Sequence, residues 1–348
     1  MTKKAKPGRG AAPSNSDLPG LYRQMRRVRT FEERVGELFV RGQSAGSMLH
    51  LSIGEESAAV GVAGLMRDGD TFTTHHRGHG IFLARGADPN RMMAEIAGKE
   101  TGYCRGKGGS MHIADMGLGH LGANAIVGGG IPAVIGAGLA SKRAGKGAVS
   151  VAFFGDGAMQ QGILYESMNM AALWELPVLF ICINNQYGMG TRIEQATRGR
   201  ALHERARALG LLGETVDGLD VREVQQTAAR LIDEARAGQP GFLAVECYRF
   251  FGHARMDKSP YRSETDEAEG RARDPVLFAR DALIAAGTPE AEMDAIDQDI
   301  ATEMDATIDF AIASEEPPLK SMFRDVYGPD EAEPEPVRNR IDRILARV

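Results

Sequence analysis

Apolar residues recur along this chain in two rhythms. From position 18 to 41 they fall at Leu21, Met25, Val28, Phe31, Val35 and Leu38. That spacing marks one face of a helix packed into a core. The same rhythm predicts helices over 55–67, 89–97 (with Pro89 at its start), 131–144, 160–173 and 221–238. Between them lie short apolar runs, "DTFTTHH", "AVSVAFF", "PVLFICIN" and "GFLAVECYRF". Runs of this length, rich in β-branched and aromatic residues, read as strands buried on both sides. Their alternation with helices predicts an α/β fold: a doubly wound, mostly parallel sheet with helices on both faces. Residues 101–130 break both rhythms. "TGYCRGKGGSMH" and "GHLGANAIVGGG" are too glycine-rich for long regular elements, and long irregular segments inside a domain tend to carry function.

Composition narrows the picture. The 348 residues, 43% hydrophobic and 25% charged, fit an ordinary soluble protein. A net charge of −6 gives no reason to expect nucleic acid as a partner. No apolar run reaches transmembrane length. Cys104, Cys182 and Cys247 match neither a zinc pattern nor a redox pair, so a reduced, cytoplasmic setting is expected. The opening "MTKKAKPGRGAAPSNS" is basic and acid-free but lacks the apolar centre of a signal peptide. Residues 1–17 are expected to form a disordered tail. Residues 18–348 are expected to form a single domain with peripheral C-terminal helices.

Two segments resemble phosphate loops. "GYCRGKGG" (102–109) has three residues where a P-loop needs four, and Gly108 stands where the Ser or Thr should be. It reads as a flexible basic loop, able at most to close over an anion. "VSVAFFGDGAMQQG" (149–162) has the strand–turn–helix build of a dinucleotide site, but Gln160 replaces the third glycine and Asp156 sits between the other two. A carboxylate about 4 Å from a phosphate costs ~4 kcal/mol at an effective dielectric of ~20, so a cation is needed between them. The next strand ends in Asn184 and Asn185, the latter 29 positions after Asp156. Neighbouring parallel strands end side by side. Asp156 and Asn185 can therefore converge as oxygen ligands for magnesium or calcium, with the helix starting near Ala158 aimed at the same spot.

The GDG…NN pair resembles the thiamine diphosphate motif. The wider stretch "GDGAMQQGILYESMNMAALWELPVLFICINNQYGMGT" resembles the alpha subunit of the decarboxylating component of pyruvate, branched-chain 2-oxo acid and acetoin dehydrogenase complexes. The likeness runs from about Leu21 to about Pro275. It takes in "GSMLHLSIGEE", "HHRGHG", "GYCRGKGGSMHIAD", "NAIVGGGIP", "VDGLDV" and "YRFFGHA". The resemblance implies a thiamine diphosphate-binding fold, with Asp156, Asn185 and the carbonyl of Tyr187 as Mg2+ ligands. It also implies backbone contacts from Gly157 and Ala158 to the diphosphate, and from Ala125 and Val127 to the aminopyrimidine. His76 and Arg77 stand where a Tyr-Arg pair holds diphosphate oxygens. His253 matches a loop histidine near the reacting carbon, suited to proton handling, and His50 one near the substrate. His75, His79, His112 and His120 can each be satisfied structural residues, while the clustering of His75, His76 and His79 around Arg77 favours an anion site there.

The resemblance further implies that one catalytic glutamate belongs to a beta subunit. The chain would then work in an α2β2 heterotetramer and pass its acyl product to a lipoyl-bearing acyltransferase. The substrate would be a small 2-oxo acid such as pyruvate, or acetoin. "HHRGHG" and "LGANAIVGGG" lean to the acetoin type, "NMAALW" and "NNQYGMGT" to the pyruvate type. Ala254 stands where animal pyruvate-type subunits carry a regulatory serine, so phosphorylation there is not expected. A nucleotide-dependent oxidoreductase lacks its third glycine and ribose acid here. A non-catalytic relative would be expected to lose Asp156 or Asn185, and both are present.

Overall fold

The computed structural model describes residues 18–199, 201–323 and the isolated positions 325 and 346. The tail read over 1–17 lies outside them, as does most of the acidic stretch after 323. The chain begins with α1 (Leu18–Val40) and α2 (Glu56–Ala63), then enters the sheet at β1 (Thr71–His75). Next come α3 (His79–Ala84), α4 (Pro89–Ile96) and β2 (His120–Asn124), followed by α5 (Ile131–Ala144), β3 (Ser150–Gly155), α6 (Gly162–Leu173) and β4 (Val178–Asn184). A two-stranded ribbon, β5 (Tyr187–Gly188) and β6 (Thr191–Arg192), leads to α7 (Ile193–Ala196), α8 (Leu202–Ala208), β7 (Leu212–Asp217), α9 (Val221–Arg236) and β8 (Gly241–Glu246). The last α-helices among the described residues are α10 (Glu264–Ala272), α11 (Pro275–Ala285) and α12 (Glu290–Ala313).

Six strands pair in the order β2-β1-β3-β4-β8-β7, every neighbour parallel. The period of two decides what each face buries. Val151, Phe153, Leu179, Ile181 and Ile183 pack on one side with apolar residues of α1, α2 and α9. Ala152, Phe154, Val178, Phe180 and Cys182 pack on the other with α5, α6 and α8. Both faces are therefore dry, as the continuous apolar runs require.

Three local outcomes differ from the sequence reading. Residues 120–124 form an edge strand despite the glycines, because His120 stacks on Phe72 at 4.5 Å and docks the segment on β1. Helix α6 starts at Gly162 rather than near Ala158. Residues 156–160 form a 3-10 turn, held by the Tyr165 hydroxyl donating to the Met159 carbonyl at 2.6 Å and by Gln160 bonding Thr197. The C-terminal helices, expected at the periphery, add to the core: α12 buries Met293, Ile300, Met304 and Ala311, and is tied to α1 by Arg27–Glu303 and Arg34–Asp305 pairs.

Two buried charge networks shape the loops around the sheet. Arg29 on α1 reaches Glu56 at 2.5 Å and grips Asp274 at 2.9 and 3.0 Å, while Asp274 also caps α11. Glu56 in turn accepts the Gly54 N–H. Gly54 has φ +98°, and a Cβ there would lie 2.0 Å from the Tyr248 carbonyl, so glycine is required. Elsewhere, the loop 102–109 does close over an anion, but a resident one. Backbone N–H groups of Cys104, Gly106, Gly108 and Gly109 donate to the Glu95 carboxylate at 2.7 to 3.0 Å.

Candidate functional site

The carboxyl ends of β1, β3 and β4 open into one cavity of about 520 Å3, where an open parallel sheet places its ligands. The residues to which the resemblance gives a role in cofactor, metal or substrate binding all line it. Asp156 and Asn185 directly follow β3 and β4, and His76 and Arg77 directly follow β1. Ala125 and Val127 come from the turn after β2, His50 from the loop between α1 and α2, and His253 from the loop after β8. Gly157, Ala158 and the ribbon residue Tyr187 complete the floor.

Asp156 is 2% exposed, and its Oδ2 has no hydrogen-bond partner. Burial pushes its carboxyl up to about 7, with Glu55 and Glu246 adding repulsion and Arg249 opposing them. Asn184 and Asn185 diverge, as successive residues at a strand end must. Asn184 donates to both oxygens of Glu246, while Asn185 donates to Glu55 Oε1 at 2.7 Å and accepts the Tyr187 N–H at 3.2 Å. The Tyr187 bond fixes which way the amide faces, because a backbone N–H can only donate and must meet the amide oxygen.

The histidines sort differently in space than in sequence. His79 turns away from Arg77 to bond Glu32 and Ser110, and His75 Nδ1 accepts the Arg77 backbone N–H at 2.9 Å. The rings that meet are His50, His76 and His253, with centroids 4.6 to 5.4 Å apart. Arg77 is buried beside them, donating to the carbonyls of Leu51 and His253 and lying 3.2 Å from His253 Nδ1. Burial lowers the guanidinium to about 9, with Arg249 adding repulsion. Burial, then the charge of Arg77, lowers His50 to about 3, His253 to about 4, and His76 still further. All three rings are neutral at pH 7. The cavity thus holds opposed buried charges that gain from an occupant carrying both signs.

A family model described as "Dehydrogenase E1 component" matches residues 23–320. The chain belongs to the dehydrogenase E1 component family. Among known proteins, this E1 component is 41% identical over 331 residues to the alpha subunit of acetoin:2,6-dichlorophenolindophenol oxidoreductase from Cupriavidus necator, covering 94% of this chain and 99% of that one. It is also 41% identical to the Bacillus subtilis protein of that name, over 88% of this chain and 92% of the relative. It is 40% identical to the pyruvate dehydrogenase E1 component subunit alpha of Zymomonas mobilis, over 91% and 94%. Among the described residues, no helix of this E1 component is long and apolar enough to cross a membrane.

Sequence reasoning did not single out two residues that shape the E1 cavity. Glu55 is fully buried, carries an unpartnered Oε2, and has its carboxyl pushed up by burial while Arg77 opposes the rise. Arg249 is the largest fully buried side chain among the described residues; its guanidinium bonds the Phe251 carbonyl at 2.9 Å and approaches the Tyr187 carbonyl at 3.5 Å. Both sit inside stretches that carried the family resemblance, "GEE" and "CYRFF". The available signal was a charge embedded in an otherwise apolar or strand-like run.

Proposed function

We propose that this E1 component is the alpha subunit of a thiamine diphosphate- and magnesium-dependent enzyme that decarboxylates a small 2-oxo acid such as pyruvate, or cleaves acetoin, and reductively acylates a lipoyl group. The observation that carries this reading is the unpartnered, buried Asp156 Oδ2 at the mouth of β3, beside the amide of Asn185. The residues fit the group. Asp156 carboxylate, Asn185 Oδ1 and the Tyr187 carbonyl are hard oxygen donors of the kind Mg2+ takes, leaving positions for phosphate oxygens. The same ion lets Asp156 stay ionised beside an anion.

When bound, thiamine diphosphate supplies a carbon nucleophile for the substrate carbonyl. The chain's own residues bind and orient. Arg77, charged at neutral pH, and His76, with an unpartnered buried Nε2, are the side chains that would hold the diphosphate. Gly157 and Ala158 would offer backbone N–H groups to it, and Ala125 and Val127 would cradle the aminopyrimidine; all four line the cavity. His253 and His50 line the cavity as the side chains assigned to proton handling; burial and Arg77 make both rings weak bases in the ligand-free chain. Met48, Ile126, Val127 and Met189 form an exposed apolar rim on the cavity. It suits coverage by a beta subunit in an α2β2 assembly, with a lipoyl-bearing acyltransferase as the next acceptor.

A second reading, acetoin rather than pyruvate, is favoured by the names of the two relatives at 41% identity. Coexpression with candidate beta subunits and artificial-acceptor assays with pyruvate, branched 2-oxo acids and acetoin separate the substrates. In the same assembly, Asp156→Ala is expected to abolish thiamine diphosphate binding by calorimetry. Wild-type affinity in that variant would overturn the proposal.

A further inference from the structure

The cavity carries a second set of ligand atoms that the magnesium reading does not use. His50, His76 and His253 come from three distant loops, yet each offers a ring nitrogen within 4.8 Å of the other two. His50 is 2% exposed and its Nδ1 has no partner; His76 Nε2 is also buried without one. His76 Nε2 is the nitrogen assigned above to the diphosphate, so without the cofactor these two orphaned imidazole nitrogens are open to a different, common occupant. We propose that His50, His76 and His253 form a binding site for a transition-metal dication of the Zn2+ class, separate from the oxygen set at Asp156 and Asn185, and that filling it obstructs the cavity.

The chemistry selects the ion. Three imidazoles with an open fourth position are a zinc-type set, whereas magnesium and calcium take oxygen. A tetrahedral site with Zn–N bonds of ~2.05 Å puts its nitrogens ~3.3 Å apart, so metal binding requires the three rings to draw closer than their present spacing of within 4.8 Å. Arg77 is the opposing feature. Whichever nitrogen His253 gives, the Arg77–Nδ1 contact is lost, because that nitrogen is then either metallated or protonated. Arg77 keeps its two carbonyl acceptors, Leu51 and His253. Its charge favours an anion, hydroxide or chloride, as the fourth ligand.

The test uses the full-length, ligand-free chain and Co2+ as a visible probe, followed by Zn2+ displacement. Expected are one equivalent of Co2+ with the intense visible bands of a tetrahedral nitrogen-ligated ion, and displacement by Zn2+ but not by millimolar Mg2+. His50→Gln, His76→Phe and His253→Gln are each expected to weaken binding at least about tenfold, since directly bound ligands matter no less than the outer partners whose loss costs that much. Asp156→Asn is expected to leave it unchanged. No tetrahedral spectrum in the wild-type chain, or binding lost in Asp156→Asn but kept in the histidine variants, overturns the proposal. Because wild-type spectra alone can refute it, a variant that fails to fold leaves the test intact. The experiment omits thiamine diphosphate, so its outcome is independent of the function proposed above.

Discussion

Asp156 is a residue held against its preference. Its carboxyl moves from 3.8 to about 7 on folding, a gap worth roughly 4 kcal/mol. The native state therefore binds a proton more tightly than the unfolded chain, and ligand-free stability falls as pH rises from about 4 through 7. His50 and His253 act in the other direction: their lowered values cost stability as pH drops below 6.5. Comparing Asp156→Asn with wild type isolates the carboxylate. In metal-free thermal scans the variant should melt close to wild type at pH 4 and several degrees higher at pH 8. A difference that stays flat with pH would show that the carboxylate is not strained. Asp156 and Asn185 were legible because adjacent parallel strands must end together. Glu55 was not legible as a partner of Asn185. It lies 130 positions away on a loop, and nothing in a periodic pattern relates a loop to a strand end.

At the scale of elements, the strands and most helices were legible because burial on two faces leaves continuous apolar runs. Turn geometry was less so. The 3-10 segment after β3 depends on Tyr165 and Thr197, which no local rule connects to Met159 and Gln160. The edge strand β2 depends on one aromatic stack. The same turn provides a clean separation of folding from binding. A Cβ added at Gly157 would meet only the Gly188 Cα, at 3.5 Å, an ordinary contact, and no left-handed φ is required there. Gly157→Ala is therefore expected to melt within about a degree of wild type, since changes that strain nothing stay within about 0.5 kcal/mol. It should nonetheless lose thiamine diphosphate affinity at least about tenfold, because the added methyl projects where the proposed diphosphate would approach the backbone. Unchanged affinity by calorimetry would remove Gly157 from the binding surface.

At the scale of the molecule, Arg29 joins α1, α2 and the start of α11 through two buried carboxylates. Its exposed counterparts between α1 and α12 are worth little each. Removing Arg29 strands Glu56 and Asp274 without a counter-charge, so Arg29→Met should cost about 3–5 kcal/mol in denaturant unfolding. Arg27→Met, which breaks the half-exposed pair with Glu303, should cost under about 1 kcal/mol. Equal losses would contradict the ranking by burial. The loop around Glu95 bears on the molecule in another way. A free anion's occupancy rises and falls with its concentration in the medium, whereas Glu95 is tethered, so its local concentration at those N–H groups is set by chain geometry alone. Dialysis, dilution or a surge of nucleotide leaves that occupancy as it was. In the folded chain the loop compared with a P-loop therefore keeps those four N–H groups engaged whatever the phosphate concentration around it.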